Sequence, residues 1–382
     1  MQHIKFDLPS KLIFGKESFS KLIDECNFLN KRRIFILSID PLKDFLVNQF
    51  SELSDKGVKL FIDTSINNEP TISDFQVILE SARDFKADAV IGIGGGSVMD
   101  VAKLIAVMLT DFSDFSDYIG IDLIPNRETW LACLPTTSGT GSEVSPNSIL
   151  MDDSDGGSKK GIISRWLVPD LAIIDPVLTL GVPSHITAFT GIDALTHCLE
   201  AYVNKYSHPI VDLYALEGIY LIAKSLKRAV DDGNDISARS DVSLGSMYGG
   251  MCLGPVNTAA VHALAYPLGS IFGVAHGISN AVLLPSIMKF NIPKSVSRYA
   301  NIGRKLGADV SLSDEEAAFE GVKIIEKLIT DCGLECNISQ FGIENKDIEL
   351  LSTEAMKVQR LLKNNPREMT FDDALSIYSS LI

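Results

Sequence analysis

Five strand-length apolar stretches constrain this chain more than anything else in it: RIFILSID (33–40), VKLFID (58–63), ADAVIGIGGG (87–96), TWLACLP (129–135) and DLAIIDP (170–176). The first and third are apolar almost without interruption, which marks strands buried on both faces rather than strands with one wet side. Helix-like segments fall between them, at 18–29, about 42–56, from Pro70 to about Lys86, and from Ser97 to about Thr110. Strand and helix in alternation predict a parallel sheet covered by helices on both faces. Residues 4–14 alternate loosely and close at Phe14-Gly15, as a further strand would. A β-segment is expected before Asp153, and the polar run 152–161 reads as a hairpin-like connection. After Pro183 helical periodicity takes over and no strand is expected. The chain therefore divides into an α/β domain over 1–183 and an all-α domain over 184–382.

At 382 residues with 46% apolar side chains, the chain can bury two sizeable cores. The net charge of −15 disfavours nucleic acid and anionic membranes as partners, since both would repel such a surface. No stretch suits a membrane span, because the long apolar window at 87–109 is broken by four glycines, Asp100 and Lys103. The N-terminus lacks the pattern of a signal peptide. Six cysteines without C-x-x-C spacing read as reduced core thiols. A cytoplasmic protein is expected.

Four of the six histidines fall between Gly191 and Pro285, and three of them, His197, His262 and His276, lie in apolar stretches. Asp193 and His197 are four apart in GIDALTHCLEAYV, so they project from one helix face a turn apart. His262 lies in a second apolar helical segment, and His276 precedes Gly277 at the start of a third. The four offer an N3O donor set suited to a divalent transition metal. Taken singly, each has an ordinary alternative: a solvated helix face, a capping pair, a loop histidine. The apolar surroundings, Leu195, Leu199, Val261, Leu264 and Leu268, make those alternatives costly, because a histidine buried there needs partners or a metal.

Gly94-Gly95-Gly96-Ser97 joins a buried strand to a helix. Backbone without Cβ atoms at such a junction admits a pyrophosphate to the unpaired N–H groups of the helix. The alternative is a tight turn with Ser97 as N-cap. The pattern is not the G-x-G-x-x-G fingerprint of ordinary dinucleotide folds. A second loop, PTTSGTGSEVS (135–145), is rich in short hydroxyls, which suit either a surface turn or a cofactor contact.

These stretches together, GGGSVMD, PTTSGTGSEVS, GIDALTHCLEAYV, VHALAYPLG and AHGISNAVLLP, resemble the iron-containing (group III) alcohol dehydrogenase family over essentially the whole chain. The resemblance implies a dehydroquinate synthase-like dinucleotide-binding domain over 1–183, followed by a helical metal-binding and catalytic domain over 184–382. It implies Fe2+, with Zn2+ as the alternative ion, held by Asp193, His197, His262 and His276. It implies NAD or NADP held by Gly94, Gly95, Gly96, Ser97 and Asp100, with Thr136, Thr137, Thr140, Ser145 and Lys159 lining the cofactor. The implied reaction passes hydride between a small alcohol or aldehyde and the nicotinamide, across a cleft between the domains, in a protein expected to be a homodimer.

Two departures from the family pattern bear on function. Many relatives carry a histidine four residues after the His262 position, where this chain has Tyr266; that side chain is either a packed aromatic or part of the substrate pocket. Relatives that prefer NAD often place Asp directly after the first domain's RIFILS-type strand, whereas here Ile39 intervenes before Asp40. Two other readings compete: a Zn2+-dependent polyol oxidoreductase like the glycerol dehydrogenases, and a non-catalytic nucleotide- or metal-binding protein.

Overall fold

A computed structural model of the chain describes residues 3–155 and 157–382. Two compact units emerge. One comprises Asp7–Thr137 and Gly141–Leu180; the other comprises residues 3–6, Ser138–Thr140 and Gly181–Ile382.

Among the described residues the first unit is built on nine strands: β1 (Lys11–Phe14), β2 (Arg33–Leu37), β3 (Lys59–Asp63), β4 (Ala89–Gly94), β5 (Gly120–Ile121), β6 (Trp130–Pro135), β7 (Asn147–Asp152), β8 (Ser158–Ile163) and β9 (Leu171–Ile174). Six of them form one sheet in the order β1-β9-β6-β4-β2-β3, with every pair parallel. Its helices are α1 (Ser20–Phe28), α2 (Lys43–Gln49), α3 (Ser51–Asp55), α4 (Ile72–Asp84) and α5 (Gly96–Met108).

The unbroken apolar runs have a direct cause in this packing. Phe35 and Leu37 of β2, Val90 of β4 and Leu131 and Cys133 of β6 face a core shared with α4 and α5. Their neighbours Ile34, Ile36, Ala89, Ile91, Ala132 and Leu134 face the opposite core, shared with α1, α2 and α3. Successive side chains point to opposite faces, and both faces are covered, so every position must be apolar.

The helix expected at 42–56 is in fact two, α2 and α3. Between them the Ser51 hydroxyl donates to Asn48 O at 2.7 Å, a local bond that competes with the helical ladder. A second sheet, in the order β5-β8-β7, was not legible in the sequence. Strand β8 (SKKGII) occupies part of the expected polar connection and pairs antiparallel with β7 from Asp152↔Ser158 to Asn147↔Ile163. Residue 156 of that connection lies outside the described residues.

The second unit is helical: α6 (Ser184–Val203), α7 (Pro209–Asp231), α8 (Ile236–Leu253), α9 (Ala260–Phe272), α10 (His276–Asn291), α11 (Val296–Lys305), α12 (Asp314–Asp331), α13 (Ile348–Lys357), α14 (Gln359–Leu362) and α15 (Phe371–Ser379). No strand follows Ile174 among the described residues. Helix α6 is buried on all sides from Gly191 to Val203, so it is the central helix of the unit rather than an amphipathic cover. Among the described residues no helix is long and apolar enough to cross a membrane.

Candidate metal centre and cofactor loop

Helix α6 presents Asp193, His197 and Glu200 at i, i+4 and i+7, one stripe along a single face. His262 sits in the first turn of α9. That helix closes on Gly273 in a left-handed conformation, and α10 then starts at His276. The tight α9–α10 connection is what brings His262 and His276 to the same residue of α6, Asp193 near its middle.

The three imidazoles converge on a single oxygen. The Nε2 atoms of His262, His276 and His197 stand 3.5, 3.7 and 3.8 Å from Asp193 Oδ1. Asp193, His262 and His276 offer donor atoms that all lie within 4.8 Å of one another. His197 is not in that mutual set, but its ring stacks on His262 with centroids 4.7 Å apart. Asp193, His197 and His262 are buried, and the His276 side chain is 25% exposed, so the cluster opens on the His276 side.

Gly277 explains how α10 comes so close. A Cβ there would fall 2.3 Å from Phe189 O on α6, well inside contact distance. Any side chain would push His276 away from Asp193.

The cluster fits a cation. Donors sharing one ion at bond lengths of about 2.1 Å stand roughly 3.4 Å apart, close to the separations found here. The buried Asn280 amide makes the same point by hydrogen-bond accounting. Its Nδ2 lies 2.7 Å from Asp193 Oδ1, 3.2 Å from His262 Nε2 and 3.4 Å from His276 Nε2. One NH2 group has two protons for three lone-pair-bearing neighbours, while Asn280 Oδ1 has no hydrogen-bond partner. More electron pairs converge here than the protein's own donors satisfy.

The cluster is strongly coupled electrostatically: burial lowers His262, but Glu200 and Asp193 outweigh it and push the imidazole up to about 10, so a metal bound at Nε2 would have to displace a proton. Burial works to raise the Asp193 carboxyl, but the imidazoles of His197, His276 and His262 overcome it and hold that group well below the usual carboxylate range. Burial lowers His197, so its imidazole is held toward the neutral, ligating form. Two residues that the sequence reading did not single out, Glu200 and Asn280, complete the surroundings. Glu200 Oε2 lies 2.6 Å from His262 Nδ1. The signal was present, since Glu200 continues the Asp193–His197 stripe by another turn.

In the first unit, β3 and β4 flank β2 on opposite sides, so the chain reverses direction across the sheet between them. The carboxyl ends of β2 and β4 are therefore the switch point, where open α/β sheets take their ligands. The Ser38 hydroxyl fastens these ends by donating to Ile93 O at 2.7 Å. Helix α5 starts right after β4, with Gly95 rather than Ser97 as N-cap and no side-chain cap. The first N–H groups of α5 thus remain available to an anion. A Cβ on Gly94 would sit 2.7 Å from Val98 Cβ, so only glycine lets strand and helix meet this closely.

The remaining expected residues divide. Thr136 N donates to Gly94 O at 2.9 Å, and Thr137 Oγ1 lies beside Gly95, so these two adjoin the glycine turn. Thr140 belongs to the Ser138–Thr140 segment grouped with the helical unit. Asp100 is spent on bracing: it accepts from Ser142 Oγ at 2.5 Å and Ile149 N at 2.9 Å. Ser145 is buried, and its carbonyl accepts from the buried Lys103 ammonium at 3.0 Å. Lys159 pairs with Glu69 at 2.7 Å.

A buried carboxylate–imidazole cluster in one unit and a glycine turn at the switch point of a parallel sheet in the other are features that suit an oxidoreductase. Residues 9–176 match the family "Iron-containing alcohol dehydrogenase", and residues 187–382 match "Fe-containing alcohol dehydrogenase family, C-terminal". The chain is 38% identical over 373 residues to long-chain-alcohol dehydrogenase 1 of Geobacillus thermodenitrificans (strain NG80-2), covering 96% of this chain and 93% of that one. Its fold is similar to that of a crystallised 1,3-propanediol oxidoreductase, with a TM-score of 0.95, 29% identity and full coverage of both chains. It is also similar to sulfoacetaldehyde reductase from Bifidobacterium kashiwanohense, solved in complex with NAD+ (TM-score 0.90, 26% identity, 100% of this chain and 99% of that one). The chain belongs to the iron-containing alcohol dehydrogenase family and is an oxidoreductase of the alcohol dehydrogenase type.

Proposed function

We propose that this protein oxidises small alcohols and reduces the corresponding aldehydes with NAD(P), and that Asp193, His197, His262 and His276 hold one divalent iron for the purpose. The observation that carries the reading is the convergence of three imidazole Nε2 atoms on Asp193 Oδ1 within 3.8 Å. Such an ion supplies a positive charge that attracts the substrate oxygen and eases loss of its hydroxyl proton. Zn2+ would also fit a donor set so rich in imidazole; the choice of Fe2+ rests on the family.

The chain's own residues set the remaining conditions. The substrate approaches from the His276 side, where the cluster is open. Tyr266 stands there, its ring centroid 6.0 Å from that of His276 and its hydroxyl 3.1 Å from Arg360 Nη2, and it lines the substrate's path. Gly94, Gly95, Gly96 and Ser97 would hold the pyrophosphate of the dinucleotide, with Thr136 and Thr137 beside the glycine turn. Asp100 and Ser145 shape this loop from behind, and Lys159 lies at its margin, joined to Glu69. Asp40, exposed just beyond β2, favours NAD: a carboxylate there suits a ribose hydroxyl and repels a 2′-phosphate.

A cytoplasmic location is the one we expect. A homodimer is the assembly we expect. The test is reduced-nicotinamide absorbance with a panel of alcohols and aldehydes, with and without a chelator. Chelator-sensitive turnover supports the reading. Turnover indifferent to the chelator, or no turnover on any member of the panel, goes against it.

A further inference from the structure

The side chain that does most to join the two halves of the cluster is not one of its four donors. Glu200 lies on α6, one turn beyond His197, and is buried. Both of its oxygens are committed. Oε2 accepts from Ala259 N at 3.0 Å and meets His262 Nδ1 at 2.6 Å; Oε1 accepts from Val261 N at 2.6 Å. Helix α9 has no side-chain cap of its own at Ala259, so the carboxylate of another helix caps it.

The tautomer follows from the partners. An ionised carboxylate only accepts, so His262 Nδ1 must carry a proton and donate it. In the neutral imidazole that a metal ion requires, the Nε2 lone pair then faces Asp193 Oδ1, 3.5 Å away. Rotating the ring, or placing the proton on the other nitrogen, would break the Glu200 contact.

We infer that Glu200 is a positioning residue of the metal centre: by accepting from His262 Nδ1 and from the first turn of α9, it aims His262 Nε2 at the ion. This inference rests on the metal-site reading above. Carboxylates that orient a ligating histidine in this way typically change metal affinity by roughly 10- to 100-fold when removed.

The experiment compares wild type, Glu200→Gln, Glu200→Asp and the double variant Glu200→Gln/Ala259→Ser. The serine offers α9 a conventional N-cap but gives His262 no carboxylate. Affinity is read by titrating Co2+ into metal-free protein and following the visible Co2+ absorption bands, alongside the melting temperature of the metal-free form. The expected result is a roughly 10- to 100-fold weaker Co2+ affinity with altered bands in both single variants. The double variant should recover melting temperature without recovering affinity. Equal affinity in wild type and Glu200→Gln, or affinity that returns with the serine cap, would overturn the inference. If wild type itself takes up no Co2+, or takes it up equally after Asp193→Asn, the metal-site reading fails first.

Should the variants not fold, nitrogen-15 resonances of His262 in the Zn2+-loaded wild type decide. Nδ1 protonated and Nε2 metal-bound is the expected pattern; the reverse overturns it.

Discussion

Asp193 Oδ1 and His262 Nε2 face each other at 3.5 Å inside a buried helical core, too far for a direct hydrogen bond and at a spacing that suits a shared ion. Leaving such a carboxylate inside a protein without adequate compensation costs several kcal/mol. The arrangement therefore yields a stability prediction as well as a functional one.

Metal should stabilise the fold. At a free Fe2+ or Zn2+ concentration 100 times the dissociation constant, the folded state gains about 2.7 kcal/mol. Anaerobic thermal melts with and without metal should show the rise, and Asp193→Asn should abolish most of it. Equal metal-induced stabilisation in Asp193→Asn would place the ion elsewhere.

Gly277→Ala tests the close approach of α10 to α6. With a Cβ 2.3 Å from Phe189 O, the helices must part, at a cost of about 1–3 kcal/mol. Denaturant melts should show that loss, and metal titration should show weaker binding because His276 moves with the helix. Unchanged stability and unchanged affinity would contradict the packing described.

Much of this was readable in advance, for a physical reason. The sheet betrayed itself because strands covered on both faces cannot afford polar residues, and RIFIL and AVIGIG have none within the strand except the flanking Arg33. The Asp193–His197 pair was legible because helical spacing fixes which side chains share a face. What remained hidden depends on tertiary partners. Glu200 continues the Asp193–His197 stripe, but what it binds shows only once α9 is placed against it, and Asn280 looks like any polar residue within α10. Strand β8 escaped because its half-buried SKKGII carries two lysines whose charges are met by Glu69, Asp152 and Asp155. Asp100 suggested a cofactor contact from its place after the glycines, whereas its carboxylate holds Ser142 and Ile149.

Glu143 should give the protein a pH-dependent stability. Burial pushes its carboxyl from the ordinary 4.5 up to about 7. A group whose folded-state value is raised stabilises the fold below its unfolded value and loses that contribution as pH rises toward the folded one. The loss should run between about pH 4.5 and pH 7, with an upper bound of about 3 kcal/mol from that shift. Glu143→Gln should flatten the profile there and gain on wild type at pH 8. Parallel profiles would show that this carboxyl does not titrate in the window.

Tyr266 should tune substrate handling while leaving the metal in place. Tyr266→Phe removes the hydroxyl that accepts from Arg360 and should change kcat/KM by a factor of about 3–10, roughly 1 kcal/mol, at unaltered metal content. Tyr266→His should add an inflection near pH 6.5 to the turnover profile. No change in rate, substrate range or pH profile would reduce Tyr266 to a packed aromatic.

The most direct measurement is turnover by anaerobically metal-stripped enzyme, before and after one equivalent of Fe2+ is returned. The account predicts that activity disappears with the metal and comes back with it in wild type, but not in His262→Ala. A stripped enzyme that still turns over at its normal rate would contradict it.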